Sequence, residues 1–155
     1  MNIKLGLNFI CKDESHVIKR MLESNKDIAD LIVAIDTGST DNTIELIKRF
    51  GEENNIPTYV FERPFDTFDK SRNFAFEKFR EVVDELKWNR EDVFSYWQDC
   101  DEQLVVEKGF SKSQFTKDFY MINTRISAME YTRNTFCRAS KPFKWYGVVH
   151  EFIVC

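Results

Sequence analysis

Four groups of residues have the types and spacing to do chemistry. Asp99-Cys100-Asp101 sets two carboxylates one residue apart. Such a pair reaches one divalent cation, and hard oxygen ligands suit Mg or Mn. The bare triplet also occurs in solvated surface turns, so its position in the fold decides its meaning. Asp36-Thr37-Gly38-Ser39-Thr40-Asp41 joins acceptor carboxylates to a glycine that lets another group approach the backbone closely. It reads either as a nucleoside-binding turn or as a well-capped strand-to-helix turn. Asp69-Lys70-Ser71-Arg72-Asn73 puts two cations near the start of a helical segment. Arg72 is suited to fork onto a phosphate, or equally to pair with Glu77 or Asp69 as a surface cation. His150-Glu151 offers a third metal ligand in His150 and a general base in Glu151, against an ordinary polar pair at a strand end. His16 falls on the polar side of the first helix and reads as surface.

These groups need a scaffold, and the chain alternates apolar runs with helical patterns. Residues 3–11 form an apolar run, with Asp13 as the expected N-cap of the first helix and Glu14 at its positive end. Val17, Ile18, Met21 and Leu22 then share one helical face. Residues 31–35 are a second strand run, ending in the 36–43 turn and cap segment. Ile44, Leu46, Ile47 and Phe50 continue as a helix, with Gly51 the expected C-cap. Residues 58–61 predict a third strand, 64–69 a loop, and Arg72, Ala75, Phe79, Val82 and Leu86 keep helical spacing. Residues 93–97 predict a fourth strand that delivers Asp99 and Asp101. Strands alternating with helices predict a mostly parallel α/β sheet, whose ligand sits beyond the carboxyl ends of the strands. The clusters at 12–14, 36–41 and 99–102 converge there. After Gly109, residues 115–122 and 130–138 read as extended, and 144–155 as a further apolar, aromatic run.

The length of 155 residues suits one domain. With 22 Lys and Arg against 26 Asp and Glu, the net charge of -4 argues against a nucleic-acid partner. No stretch is long and apolar enough for a signal peptide or a membrane span. Cys11, Cys100, Cys137 and Cys155 have no C-x-x-C spacing and suit reduced thiols, so a soluble, cytoplasmic chain is expected. There is no G-x-G-x-x-G and no G-x-x-x-x-G-K-[ST], so dinucleotide and P-loop readings lose support.

Five segments, in order, resemble glycosyltransferase family 2, the GT-A fold. Asn8-Phe9-Ile10-Cys11-Lys12-Asp13-Glu14 resembles its first strand and turn. Ile35-Asp36-Thr37-Gly38-Ser39-Thr40-Asp41-Asn42-Thr43 is very close to its D-x-G-S-T-D-x-T signature. Ser71-Arg72-Asn73-Phe74-Ala75 resembles its R-N-x-A segment. Asp99-Cys100-Asp101-Glu102 resembles its D-x-D motif. Phe136-Cys137-Arg138 with Trp145-Tyr146-Gly147-Val148-Val149-His150-Glu151 resembles the F-R and G-x-x-H-E ending of one branch.

The resemblance implies a Rossmann-like α/β/α sandwich with a mostly parallel sheet and a small antiparallel element in the C-terminal third. Residues 1–108 would be the nucleotide-sugar-binding half and 109–155 a partial acceptor-side half, since the family has more chain beyond the H-E segment. It implies metal-dependent, inverting transfer from a nucleotide-sugar donor, expected to be a UDP-sugar, to a hydroxyl of a glycan, protein or lipid acceptor. Ile10, Lys12 and Asp36 would lie around the base and ribose, and Arg72 near the base or diphosphate. Asp101 would ligate Mn or Mg, with Asp99 assisting or contacting the ribose and His150 closing the site. Glu151 would be the base. The alternatives are a non-catalytic nucleotide-sugar-binding module or fragment and, further off, a haloacid-dehalogenase-type phosphatase, whose D-x-D-x-[TV] motif is broken by Gln103. A sugar nucleotidyltransferase would need a Gly-rich basic loop where Cys11-Lys12-Asp13-Glu14 stands. Aromatics of the last third, if exposed, offer a homo-oligomer interface.

Overall fold

The computed structural model describes residues 2–148 and 150–155, with Asn134 described by its backbone alone. Val149, inside the G-x-x-H-E segment, therefore lies outside the described residues.

The strand runs and helical faces form as predicted. They give β1 (Lys4–Cys11), α1 (Ile18–Asn25), β2 (Leu31–Asp36), α2 (Thr43–Asn54), β3 (Thr58–Glu62), α3 (Phe68–Glu85) and β4 (Val93–Tyr96). Then come β5 (Phe119–Ile126), β6 (Met129–Arg138), β7 (Lys144–Tyr146) and β8 (Phe152–Val154). The six-stranded sheet has the order β3-β2-β1-β4-β6-β5, and β7 and β8 form a separate two-stranded sheet. β1 pairs parallel with β2 and β4, and β2 with β3. β6 runs antiparallel to both β4 and β5. The fold is thus the expected α/β class with a mostly parallel sheet. Its antiparallel part is the β5–β6 hairpin, which joins the main sheet, plus the separate β7–β8 hairpin.

Alternation along the strands builds a core on each face. Leu5, Leu7, Phe9 and Cys11 pack with Ile18, Met21 and Leu22 of α1 and Ile47 and Phe50 of α2. Leu31, Val33 and Val93 pack on the other face with Phe76, Phe79, Val82 and Val83 of α3, and with Trp145 and Ile153. Each fully buried side chain of this size contributes about 1.5–3 kcal/mol. Gly6 lets α3 approach, because a Cβ there would meet Phe79 Cε2 at 2.2 Å.

Three local expectations are corrected. Asp13 does not cap α1, which starts at Ile18 after Val17 with no side-chain cap. Asp13 sits at φ 53° and turns its carboxylate across to the 36–43 turn instead. Gly51 does not end α2. The helix continues to Asn54 and stops at Asn55, which is left-handed. Gly51 is used for space, since a Cβ there would strike Thr58 Oγ1 at 2.0 Å. The 115–122 run is strand only from Phe119, where β5 begins, and the strand continues to Ile126; the 144–155 run forms two short strands, with Gly147 (φ 106°) and His150 (φ 59°) between them.

Candidate functional site

β1, β2 and β4 run parallel, so their carboxyl ends deliver residues 12–14, 36–41 and 99–102 to one edge of the sheet. Cross-bonds tie the three clusters together. Asp13 N donates to Ser39 Oγ (2.9 Å) and Glu14 N to Thr43 Oγ1 (2.9 Å). Arg20 reaches the Asp101 carbonyl at 3.1 Å, and the Cys100 thiol faces the Ile10 carbonyl at 3.6 Å. The expected convergence is therefore present.

The 36–43 signature resolves into a hydrogen-bonding job for nearly every residue. Asp36 is 1% exposed. Its Oδ1 accepts from Gly38 N (2.9 Å) and Ser39 N (2.8 Å), and its Oδ2 from the hydroxyl of Ser39. Thr37 Oγ1 donates to the Cys11 carbonyl (3.1 Å). Asp13 Oδ1 accepts from Thr40 N at 2.7 Å. Asp41 accepts from Thr43 N (2.9 Å), Thr43 Oγ1 (2.5 Å) and Ser15 N (3.1 Å). These bonds, that from the Thr43 hydroxyl foremost, hold the Asp41 carboxyl well below the usual range. Both oxygens of Asp36 are engaged within its own turn, so the carboxylate shapes the loop. Lys12 is exposed and Ile10 half-buried beside it.

Arg72 is not the surface cation that spacing left open. It is 7% exposed, in the first turns of α3. Its Nε donates to Glu151 Oε1 at 3.0 Å and its Nη2 to Asp99 Oδ1 at 3.2 Å. Its guanidinium lies 4.4 Å from the Trp97 ring centroid and 5.1 Å from that of Trp145. Neither Glu77 nor Asp69 is its partner: Asp69 accepts from Thr67 Oγ1 at 2.5 Å.

Arg133, Trp97, Trp145 and Asn73 complete the site, and sequence reasoning assigned them no role there. Arg133 lies 4.2 Å from the Trp97 ring centroid. It pairs with Asp99 Oδ2 at 3.6 Å and binds the Glu102 carboxylate. Charges thus alternate from Glu151 through Arg72, Asp99 and Arg133 to Glu102. Arg133 Nε is shielded from solvent and has no hydrogen-bond partner among the described residues. No signal marked Arg133, because its place depends on how β6 pairs with β4. Asn73 did stand in a recognised segment, and it binds the β7 backbone at Trp145. Arg138, of the Phe136-Cys137-Arg138 segment, pairs with Asp118 at 2.9 Å and lies over Phe94, fastening the start of β5.

Asp101 and His150 are exposed, and Asp99 is half-exposed. Among the described residues, no three His, Cys, Asp or Glu side chains form a ready metal cluster. Asp99 and Asp101 do concentrate negative charge on one turn. Burial raises the Glu14 carboxyl pKa, and the charges of Asp101, Asp41 and Asp99 raise it further, against a lowering by His16. Hard carboxylate oxygens in a negative field fit Mg or Mn when a diphosphate supplies further ligands. Burial, the largest cause, pushes the Cys11 and Cys100 thiols up.

No protein-family model and no curated protein matches the chain. Solved structures do. TarS of S. aureus, residues 1–349 in complex with UDP, aligns at 19% identity and a TM-score of 0.49, over 65% of this chain and 28% of that one. The same protein in complex with UDP-GlcNAc gives the same identity and score, over 27% of its length. Glucosyl-3-phosphoglycerate synthase from Mycobacterium tuberculosis, in complex with Mn2+, UDP and glucosyl-3-phosphoglycerate, aligns at 13% identity and a TM-score of 0.38, over 36% of its length. The chain spans about a third or less of the length of these proteins.

Proposed function

We propose that this chain is the donor-binding core of a metal-dependent, inverting glycosyltransferase of the GT-A type, using a UDP-sugar. The observation that carries the reading is the meeting of Arg72, Asp99 and Glu151, which lie 27 and 79 residues apart in sequence from Arg72, beside the converging strand ends. A cation, a carboxylate of the D-x-D turn and a candidate base are what sugar transfer from a diphosphate needs in one place.

In this reading the uridine lies over the end of β1 and the 36–38 turn, against Ile10, Lys12 and the loop that Asp36 shapes. Arg72 and Arg133, which both pair with Asp99, would meet the diphosphate, where guanidinium forks suit phosphate oxygens. Asp101 would hold the divalent cation, with Asp99 and His150 assisting. When bound, the cation neutralises the charge that grows on the departing diphosphate. Glu151 accepts the proton of the acceptor hydroxyl as that oxygen bonds to the anomeric carbon and the carbon–diphosphate bond breaks. Because Arg72 grips Glu151 at 3.0 Å, a diphosphate that engages Arg72 also loosens its hold on the base.

That ion pair also suits the second reading, a binding module without turnover, in which Glu151 only anchors Arg72. Turnover of UDP-sugars by wild type and Glu151→Gln separates them. A base predicts loss of turnover by about 100-fold or more with UDP binding kept. Equal turnover in the two proteins removes Glu151 from the chemistry.

A further inference from the structure

Strands β7 and β8 are three residues each and, among the described residues, pair with each other alone. An isolated two-stranded hairpin is marginal in water, so this one must be held from outside. Trp145 and Ile153, a paired position, face inward and are buried, whereas Tyr146 and Phe152 face out. Inward packing sets the depth of the hairpin, and directional bonds add to it a fixed position along α3. Direction comes from α3. Asn73 Nδ2 donates to the Trp145 carbonyl at 2.9 Å, and Trp145 N donates to Asn73 Oδ1 at 2.8 Å. A side-chain amide presents one donor and one acceptor as a neighbouring strand's backbone does, so Asn73 acts as a one-residue strand. The adjacent Arg72 holds Glu151, on the far side of the Gly147 turn, at 3.0 Å. Consecutive residues of one helix thus grip the stem and the tip of the same hairpin.

We infer that Asn73 is a positioning residue for Glu151. It fixes the β7 backbone, and β8, paired with β7 at Tyr146 and Phe152, then sets Glu151 beside Arg72. Gly147 lets the Glu151 backbone come close: a Cβ there would lie 3.2 Å from Glu151 Cα. The inference rests on the reading of Glu151 as base. Other side chains lose the grip in a graded way. Alanine loses both bonds. Aspartate keeps an acceptor for the Trp145 amide but turns an oxygen toward the Trp145 carbonyl.

The test uses the whole chain as wild type, Asn73→Ala, Asn73→Asp, Glu151→Gln and the Asn73→Ala/Glu151→Gln double variant. Amide exchange at Trp145, UDP affinity with Mn, and turnover of a UDP-sugar are measured on each. The expected result is at least tenfold faster exchange at Trp145 in Asn73→Ala, an intermediate effect in Asn73→Asp, and wild-type exchange in Glu151→Gln. UDP affinity should stay within about twofold in Asn73→Ala, while kcat falls at least tenfold at unchanged donor KM. The double variant should be no slower than Glu151→Gln alone, since a residue acting through Glu151 has nothing left to position. Unchanged Trp145 exchange in Asn73→Ala overturns the inference, as do losses that multiply in the double variant. The two failures read differently: a slow Glu151→Gln with a fast Asn73→Ala overturns this inference and leaves the base reading, whereas a fast Glu151→Gln removes both.

Discussion

Replacing Arg72 tests whether its fork or merely its charge organises the site. The guanidinium uses two different nitrogens, Nε for Glu151 and Nη2 for Asp99, and lies against two indole rings. Lysine has one nitrogen and no plane, so Arg72→Lys keeps one carboxylate and gives up the other with most of the stacking. A hydrogen bond to a charged group contributes about 1.5–3 kcal/mol, and a partly exposed cation–π contact about 0.5–1 kcal/mol. Asp99 is 46% exposed, so its share is screened and falls toward the low end. The loss for lysine is then about 2 kcal/mol. Arg72→Met fills the space but leaves Glu151, whose side chain is 18% exposed, without its cation. Breaking a buried pair in that way costs about 3–5 kcal/mol, and the lower figure applies because Glu151 retains some water. For a chain of 155 residues these losses lower Tm by about 4–8 °C for lysine and about 6–12 °C for methionine. Urea unfolding followed by Trp fluorescence measures both. Methionine milder than lysine, or both within about 0.5 kcal/mol of wild type, would refute the reasoning.

Three further outcomes follow from the packing and the charges. Gly6→Ala drives a methyl into the Phe79 ring and should cost about 3 kcal/mol in the same urea assay; a near-neutral result would mean α3 shifts freely. The Asp41 carboxyl is held below its ordinary pKa, so its contribution is fully present above the ordinary carboxylate range and is lost as pH falls through the lowered value. Asp41→Asn should therefore flatten the acid side of the stability–pH curve, and an unchanged curve counts against the Thr43 and Ser15 bonds. Cys137 is pushed up to about 12 by burial, Cys11 and Cys100 are raised as well, and Cys155 is exposed. A thiol reagent at pH 8 should modify one cysteine in the native protein and all four after unfolding; more than one native thiol would contradict the packing.

The strands and the edge where they converge were legible because buried parallel strands are short apolar runs, and their polar ends mark the ligand side. The site's interior was less so. Helical spacing placed Arg72 on α3 but could not say that it faced Trp97 and Trp145 rather than Glu77. Arg133 was invisible because its neighbours are set by the antiparallel pairing of β6 with β4 across a long loop. Asp13 read as a cap by residue type, yet a left-handed backbone aims it at the next turn. Gly51 read as a stop signal, and only the contact with Thr58 reveals it as a spacer.

Calorimetric binding of UDP, with and without Mn, to wild type and Asp101→Ala tests the donor-site reading most directly. Metal-dependent binding that Asp101→Ala abolishes is the predicted result. No UDP binding to the folded protein under either condition, or metal-dependent binding that Asp101→Ala leaves intact, would contradict it.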